Sequence, residues 1–432
     1  MPIDPKRPAA KAPPPPASRR PATTAGAPMS ERGPGFVWLL APHPGRVRAM
    51  PLSAGGLLGR GEEASLRIDA PGVAPSHAKV ELVGKGPGLP AEIYITDNGT
   101  PSGTYVSGMR ASRTVLAEGD LLRVGAAIAL VVERDVGSYD GAVIEEGGLV
   151  RGPRSRRGFF AAVERAMAEP REGRRAVVVA GLPGSGRRTI ARRIAEAWAA
   201  PIYGEEGQPL APEVELLSIR DEDVEAAVAA AAARGAVVVR GLERAPEPRR
   251  AALARALEKR RTVPVIALVD DPAWALPPDL DPLFGHRVDL PSLEQRREEI
   301  PSIVRHRFER RGVVGNRLSI ELYEALTRAA WPGELAELVD CVDKIAASHA
   351  SEPRLGPEHL VRPLSRRGGR VPAKAPTDDA QNEVDRIRAA LVEAKGSVAA
   401  AARALHLSRQ ALYREAARLG IDIRRTREDG AA

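Results

Sequence analysis

Cysteine is almost missing: Cys341 is the one cysteine in 432 residues. One thiol cannot close an internal disulfide, and a cysteine-built zinc site needs several. Aromatic residues are scarce at 3%, while Ala, Arg, Gly and Pro are abundant, a bias of GC-rich coding more than of fold. No apolar run approaches the roughly 18 residues needed to span a bilayer, so no membrane partner is expected. The start of the chain lacks the apolar core of a signal peptide. These absences lead us to expect a cytoplasmic bacterial protein. An acidic surplus is also lacking. Lys and Arg number 64 against 56 Asp and Glu, a net charge of +8, which favours a polyanionic partner. Hydrophobic residues make up 43%, enough to fold most of a chain whose length suits about three domains.

Residues 1–34 are rich in Pro, Ala and basic residues, with Pro13–Pro16 in a row. Such a segment cannot bury a core, so a disordered, extended tail is expected. From 35 to 136, short β-rich runs alternate with turns, among them Phe36–Leu40, Lys79–Val83, Thr104–Val106 and Ile128–Val132. That spacing predicts a β-sandwich. Residues 137–157 contain Gly, Pro and an Arg cluster and read as a linker. A buried strand, Ala176–Ala180, then leads through the glycine loop Gly181–Thr189 into an amphipathic helix. Strand, glycine loop and helix form a phosphate cradle in which backbone N–H groups meet the ligand. This α/β unit is expected over 158–289, a helical lid over 290–362 and a second linker over 363–381.

Residues 382–427 read as three short helices. Gly396 ends the first, Ser397 and Ser408 cap the next two, and Leu412, Ala416 and Leu419 form the inward stripe of the last. From Glu383 to Arg427, ten Lys and Arg face five Asp and Glu, a net of +5. Ser408, Arg409, Gln410, Tyr413, Arg414 and Arg418 are left for the outside. Arg and Gln match guanine and adenine edges in a major groove, and further Arg groups hold phosphates, so double-stranded DNA is the expected partner.

Three resemblances sharpen this outline. Gly59-Arg60, His77-Ala78, Asp97, Gly103–Val106, Gly108, Gly119-Asp120 and Gly125 resemble a forkhead-associated (FHA) domain. The resemblance implies phosphothreonine-peptide binding through Arg60, and Ser76, Thr100 and Ser102 are expected as donors from shifted positions. The serine that this family places three residues before the histidine is Ala74 here. His77 reads as a brace between loops. The stretch 159–350, with Leu290–Leu293, Arg297–Pro301 and Trp331–Leu335, resembles the AAA+ domain of sigma-54-dependent activators. Gly396-Ser397, Ala399–Ala402, Leu407–Arg409 and Leu412–Arg414 resemble the Fis-type helix-turn-helix that closes many of those activators, although His406 stands where that family has Gly.

The AAA+ resemblance implies nucleotide binding at Gly181, Gly184, Gly186 and Arg187, but the hydrolytic parts depart from the pattern. Arg187 replaces the phosphate-binding lysine, and its planar fork does not copy a compact ammonium. Arg240 and Gly241 stand where an Asp-Glu pair would hold Mg²⁺ and activate water. Asp270 replaces a sensor asparagine, Ala336 replaces a lid arginine, and no arginine lies between Asp270 and His286 to serve as a finger. An arginine finger alone is worth roughly 10³–10⁵ in rate. The GAFTGA loop that touches sigma-54 is absent between Pro201 and Gly235.

The expected fold class is therefore multidomain: an FHA-like β-sandwich, an AAA+-like P-loop α/β domain with a helical lid, and an all-α three-helix unit. The expected function is a DNA-binding transcriptional regulator, at least a dimer, with an FHA interaction domain and a catalytically inactive scaffold. It needs no cofactor and no metal. The alternatives are an ATP-dependent sigma-54 activator and a phosphothreonine-binding adaptor. The sandwich leaves a phosphothreonine-bearing protein as a second expected partner.

Overall fold

The computed structural model describes residues 33–360, except 41–44, 85–91, 147–148, 169–174, 201, 205–209, 211–212 and 315–316, together with 390, 394, 398–405 and 412. Eleven strands build the first unit: β1 (Gly35–Leu40), β2 (Arg46–Pro51), β3 (Gly56–Gly59), β4 (Leu66–Arg67), β5 (Ala78–Val83), β6 (Glu92–Asp97), β7 (Thr104–Val106), β8 (Met109–Arg110), β9 (Arg113–Leu116), β10 (Leu121–Val124) and β11 (Ala127–Val132). One sheet runs β2-β1-β11-β10-β7-β8, and the facing sheet runs β4-β3-β5-β6-β9. Alternate residues point to opposite faces of a strand. Phe36, Trp38, Leu122, Val124, Ala129 and Val131 accordingly fill the space between the sheets.

The opposite face of the first sheet is also buried. Val37, Leu39, Leu121, Ile128, Leu130 and Val132 share one apolar core with Leu322, Leu326, Trp331 and Leu338 of the helical region beyond residue 290. This explains why β10 and β11 are buried at every position. A strand covered on both faces reads as a continuous apolar run.

Residues 137–157, expected as a linker, are folded. β12 (Gly141–Ala142) extends the first sheet by pairing with β2. β13 (Ile144–Glu146) and β14 (Leu149–Arg151) form an antiparallel hairpin, and α1 (Pro153–Arg157) follows with Pro153 in its first turn. The segment is held because Gly152 N–H donates to the buried Glu299 carboxylate at 2.7 Å and Arg154 stacks on Tyr139. Its Gly and Pro residues shape turns and a helix start, so composition alone misread them.

After α2 (Phe159–Ala168), the second sheet is wholly parallel. β15 (Ala176–Ala180) leads to α3 (Arg187–Ala197), then come β16 (Val214–Glu215), α4 (Val224–Ala232), β17 (Val237–Arg240), α5 (Glu247–Glu258), β18 (Val265–Val269) and β19 (His286–Asp289). Their spatial order is β16-β17-β18-β15-β19. Helices cover both faces, so β15 sends Ala176, Val178 and Ala180 to one core and Val177 and Val179 to the other. Helices α6 (Ile300–Arg310), α7 (Ile320–Arg328) and α8 (Glu334–Ser348) form the helical region that meets the sandwich. Ser319 caps α7 by accepting from Leu322 N–H at 3.1 Å. Near the C-terminal end, α9 (Val398–Ala404) buries Val398, Ala401 and Ala402, and Leu412 is buried in a helical turn.

Candidate functional site

Three loops at one end of the sandwich are tied together from beneath. His77 is fully buried, with Ala74 N–H donating to its Nδ1 at 3.0 Å. That bond leaves Nε2 as the N–H nitrogen, placed 3.3 Å from the Gly103 carbonyl. Burial lowers the His77 pKa, so the ring stays neutral. Beside it, Thr100 and Thr104 hydroxyls donate to Asp97 at 2.8 and 2.7 Å. Burial alone would raise the Asp97 carboxyl, but these bonds outweigh it and hold the group below its ordinary value. His77 is thus a brace. Thr100 is buried and committed to Asp97.

Above the brace lies an open pocket of about 650 Å³, lined by Arg60, Asp69–Ala74, Pro101 and Ser102. Backbone bonds Arg60 N–H to Ala74 O and Gly61 N–H to Pro75 O, each 3.1 Å, bring the Arg60 loop against its neighbour. Gly59 is needed for that approach, because a Cβ there would sit 2.1 Å from the Pro75 carbonyl oxygen. The Arg60 side chain is exposed, and its guanidinium has no partner among the described residues.

The two serines expected beside Arg60 stand differently. Ser102 lines the pocket, but its hydroxyl donates to Gly72 O at 2.6 Å. Its proton is spent, and its oxygen can only accept. Ser76 lies outside the pocket lining, where its Oγ accepts from Asn98 at 2.8 Å, which leaves its own proton free. Asn98 went unnoticed in the sequence; its one signal was its place just after Asp97. A phosphate entering the pocket therefore meets the Arg60 guanidinium, with the Asp69 carboxylate on the same wall.

At the second candidate site, Gly184 and Gly186 adopt φ of +86° and +101°, conformations that glycine reaches without strain. The loop is in direct contact with the start of α8. A Cβ on Gly184 would lie 2.2 Å from Gly333 O, and Ala336 N–H donates to Gly184 O at 3.0 Å. Gly181, which follows β15, donates to Val269 O at 3.1 Å. Arg187 is ion-paired with Asp270, which also takes Arg244 at 3.2 Å. Arg240 and Arg188 lie 3.2 and 3.5 Å from Glu213, and Tyr203 donates to the same carboxylate at 2.8 Å. Burial, reinforced by Glu213, pushes the Tyr203 hydroxyl pKa upward. Glu243 accepts from Asp270 N–H at 3.1 Å, which ties it to the loop after β18.

Among the described residues, Glu145, His306 and Glu309 form the one group with metal-ligand spacing. Arg305 already lies 3.0 Å from Glu145 and 3.8 Å from Glu309, so a cation occupies that role. The six expected DNA-contacting residues, Ser408, Arg409, Gln410, Tyr413, Arg414 and Arg418, lie outside the described residues.

The contact between sandwich and helical region was not foreseen. Arg123 of β10 reaches Glu324 of α7 at 2.7 Å, both buried, and stacks on Tyr105. Arg297 donates to Gly119 O at 2.8 Å, and Arg328 donates to Ser107 O. A charged residue inside the apolar run Leu121–Val124 was the available signal.

Residues 56–125 match the FHA domain family, and the sandwich is an FHA domain. No curated protein sequence matches the chain. Among solved structures, NtrX from Brucella abortus in complex with ATP is similar over 64% of this chain and 70% of its own, at 18% identity and a TM-score of 0.38. The FHA domain of FhaA, solved with the intracellular domain of another protein, is similar over 23% of this chain and 98% of its own, at 22% identity and a TM-score of 0.19. The FHA domain of CT664 from Chlamydia trachomatis is 17% identical, covers 23% of this chain and 97% of its own, and has a TM-score of 0.20. At TM-scores below 0.5 none of these overlaps bears on function. Among the described residues, no helix is long and apolar enough to cross a membrane.

Proposed function

We propose that this chain is a DNA-binding transcriptional regulator that reads a duplex through residues 382–427 and receives a phosphothreonine-bearing protein on its FHA domain. The observation that carries the first half is the patterned basic unit from Glu383 to Arg427, with its net charge of +5, its caps and its Arg-Gln-Tyr-Arg face. The buried Val398, Ala401, Ala402 and Leu412 suit the packed side of such a unit. The second half rests on Arg60, an unpaired guanidinium at the rim of a braced pocket.

The α/β domain and lid serve in this reading as an AAA+-like scaffold that does not hydrolyse ATP. Guanidinium groups at 187 and 240 replace the lysine and the metal-binding carboxylates, and each is neutralised inside the chain. A Mg²⁺ there would meet cations first, and an attacking water would lack a base. The regulator acts as a dimer or larger assembly, in keeping with two-fold operators.

The test is a gel-shift selection with the full chain, followed by Arg409→Ala and Arg414→Ala. Sequence-selective binding by the wild type and its loss in the variants is the expected result. Unchanged selectivity in both variants would remove the proposal. The second reading, a phosphothreonine adaptor without DNA binding, is favoured by the free Arg60 and would be left standing by that outcome.

A further inference from the structure

A closed-in cavity of about 190 Å³ lies between the glycine loop, α2 and the lid. Its walls are apolar where Leu149, Phe159, Phe160 and Ile303 line it, and no Asp or Glu lines it. Three polar atoms buried without a hydrogen-bond partner belong to residues on this lining: Ser185 Oγ, Arg296 Nε and His306 Nε2. Ser185 is 2% exposed and Arg296 7%. Leaving such groups unsatisfied costs free energy, so their gathering around one space points to something that fills it. Arg310 adds a cation at the rim, exposed and without a partner among the described residues.

We infer that this cavity binds a small aromatic carboxylate, acting as an effector of the scaffold. Charge sets the sign: Arg296 and Arg307 on the lining are already paired with Glu299 and Asp343, so Arg310, the unpartnered Arg296 Nε–H and the Ser185 hydroxyl are what the site has left to offer an anion. Size sets the body. A cavity of about 150 Å³ accommodates benzene, so 190 Å³ holds a single ring with a carboxylate. Arg187, beside the glycine loop, is already paired with Asp270 and is not available to a phosphate. The ring packs against the apolar wall of Leu149, Phe159, Phe160 and Ile303. The carboxylate takes the Ser185 hydroxyl, the Arg310 guanidinium and the Arg296 Nε–H, whose Nη1 stays on Glu299. The inference does not depend on whether residues 382–427 bind DNA.

The test uses the full chain in calorimetric titration and thermal-shift measurements. The probes are benzoate and salicylate, with benzamide and benzylamine as the neutral and cationic shapes, and ADP and adenosine as nucleotide controls. Benzoate or salicylate should bind saturably and raise the melting temperature, with benzamide and benzylamine at least tenfold weaker. Arg310→Gln, at the exposed rim, should weaken the carboxylates about tenfold while leaving circular dichroism unchanged. Ser185→Ala should weaken them by a smaller factor. Absence of saturable binding up to 20 mM overturns the inference, as does benzamide binding as tightly as benzoate. ADP or adenosine binding while the carboxylates do not would return the cavity to a nucleotide.

Discussion

Glu298 is a carboxylate placed where its charge is disfavoured. It is 2% exposed, its Oε1 has no hydrogen-bond partner, and Arg154 stands 3.6 Å away. Burial, with the neighbouring Glu299 adding to it, pushes the Glu298 pKa up to about 7. A carboxyl raised on folding binds its proton more tightly in the native state. The stability this group contributes is therefore greatest at low pH, falls as pH rises through the ordinary carboxylate range to about 7, and then levels off. The loss is at most about 3.5 kcal/mol, at about 1.4 kcal/mol per tenfold change. Glu298→Gln should remove this slope, giving a higher urea midpoint than wild type at pH 8 and little difference at pH 4. Equal slopes in both proteins would show that Glu298 is not the cause. Arg60 permits a second prediction at this scale. Arg60→Ala should weaken a phosphothreonine peptide at least tenfold, and Ser102→Ala should change little because its proton is committed to Gly72. Fluorescence anisotropy with labelled peptides separates the two variants.

Strand β10 makes the case for elements. Its Leu122 and Val124 face the sandwich core, while Leu121 and Arg123 face the helical region. Removing one partner of a buried ion pair leaves an uncompensated charge, at a cost of about 3–5 kcal/mol. Arg123→Ala or Glu324→Ala should each lower stability in that range by denaturant unfolding. Replacing both with Leu should recover most of the loss. A double variant as unstable as either single variant would contradict this account. The strands themselves were legible in the sequence, because β-rich runs bounded by turns signal a sandwich. So was the strand–glycine loop–helix order. The destination of the outer sheet face was not, since a run such as Ala-Ile-Ala-Leu-Val-Val shows burial on both faces without naming the covering element. The same limit hid the fold of residues 137–157, whose order comes from Glu299, more than 140 positions away in the chain. At the candidate sites, Arg60 and Arg187 were legible as residue types. Their opposite fates, one free and one paired with Asp270, depend on contacts that spacing does not encode.

At the scale of the whole molecule, the cations are partitioned. Those around the glycine loop are held in pairs, 187 and 244 on Asp270 and 188 and 240 on Glu213. Over 383–427 the cations outnumber the acids by five. DNA affinity should therefore fall steeply with salt, and phosphate release from ATP should stay at background with or without duplex. A malachite-green assay returning turnover that Arg187→Ala abolishes would reverse the scaffold assignment.

The apolar outer face of the first sheet has a practical outcome for anyone who dissects this chain. A fragment cut after residue 136 would carry Val37, Leu39, Leu121, Ile128 and Leu130 into water as one oily surface. Patches of that kind drive association. The excised piece should bind hydrophobic dyes and self-associate in light scattering, whereas residues 33–360 together should run as a well-behaved particle.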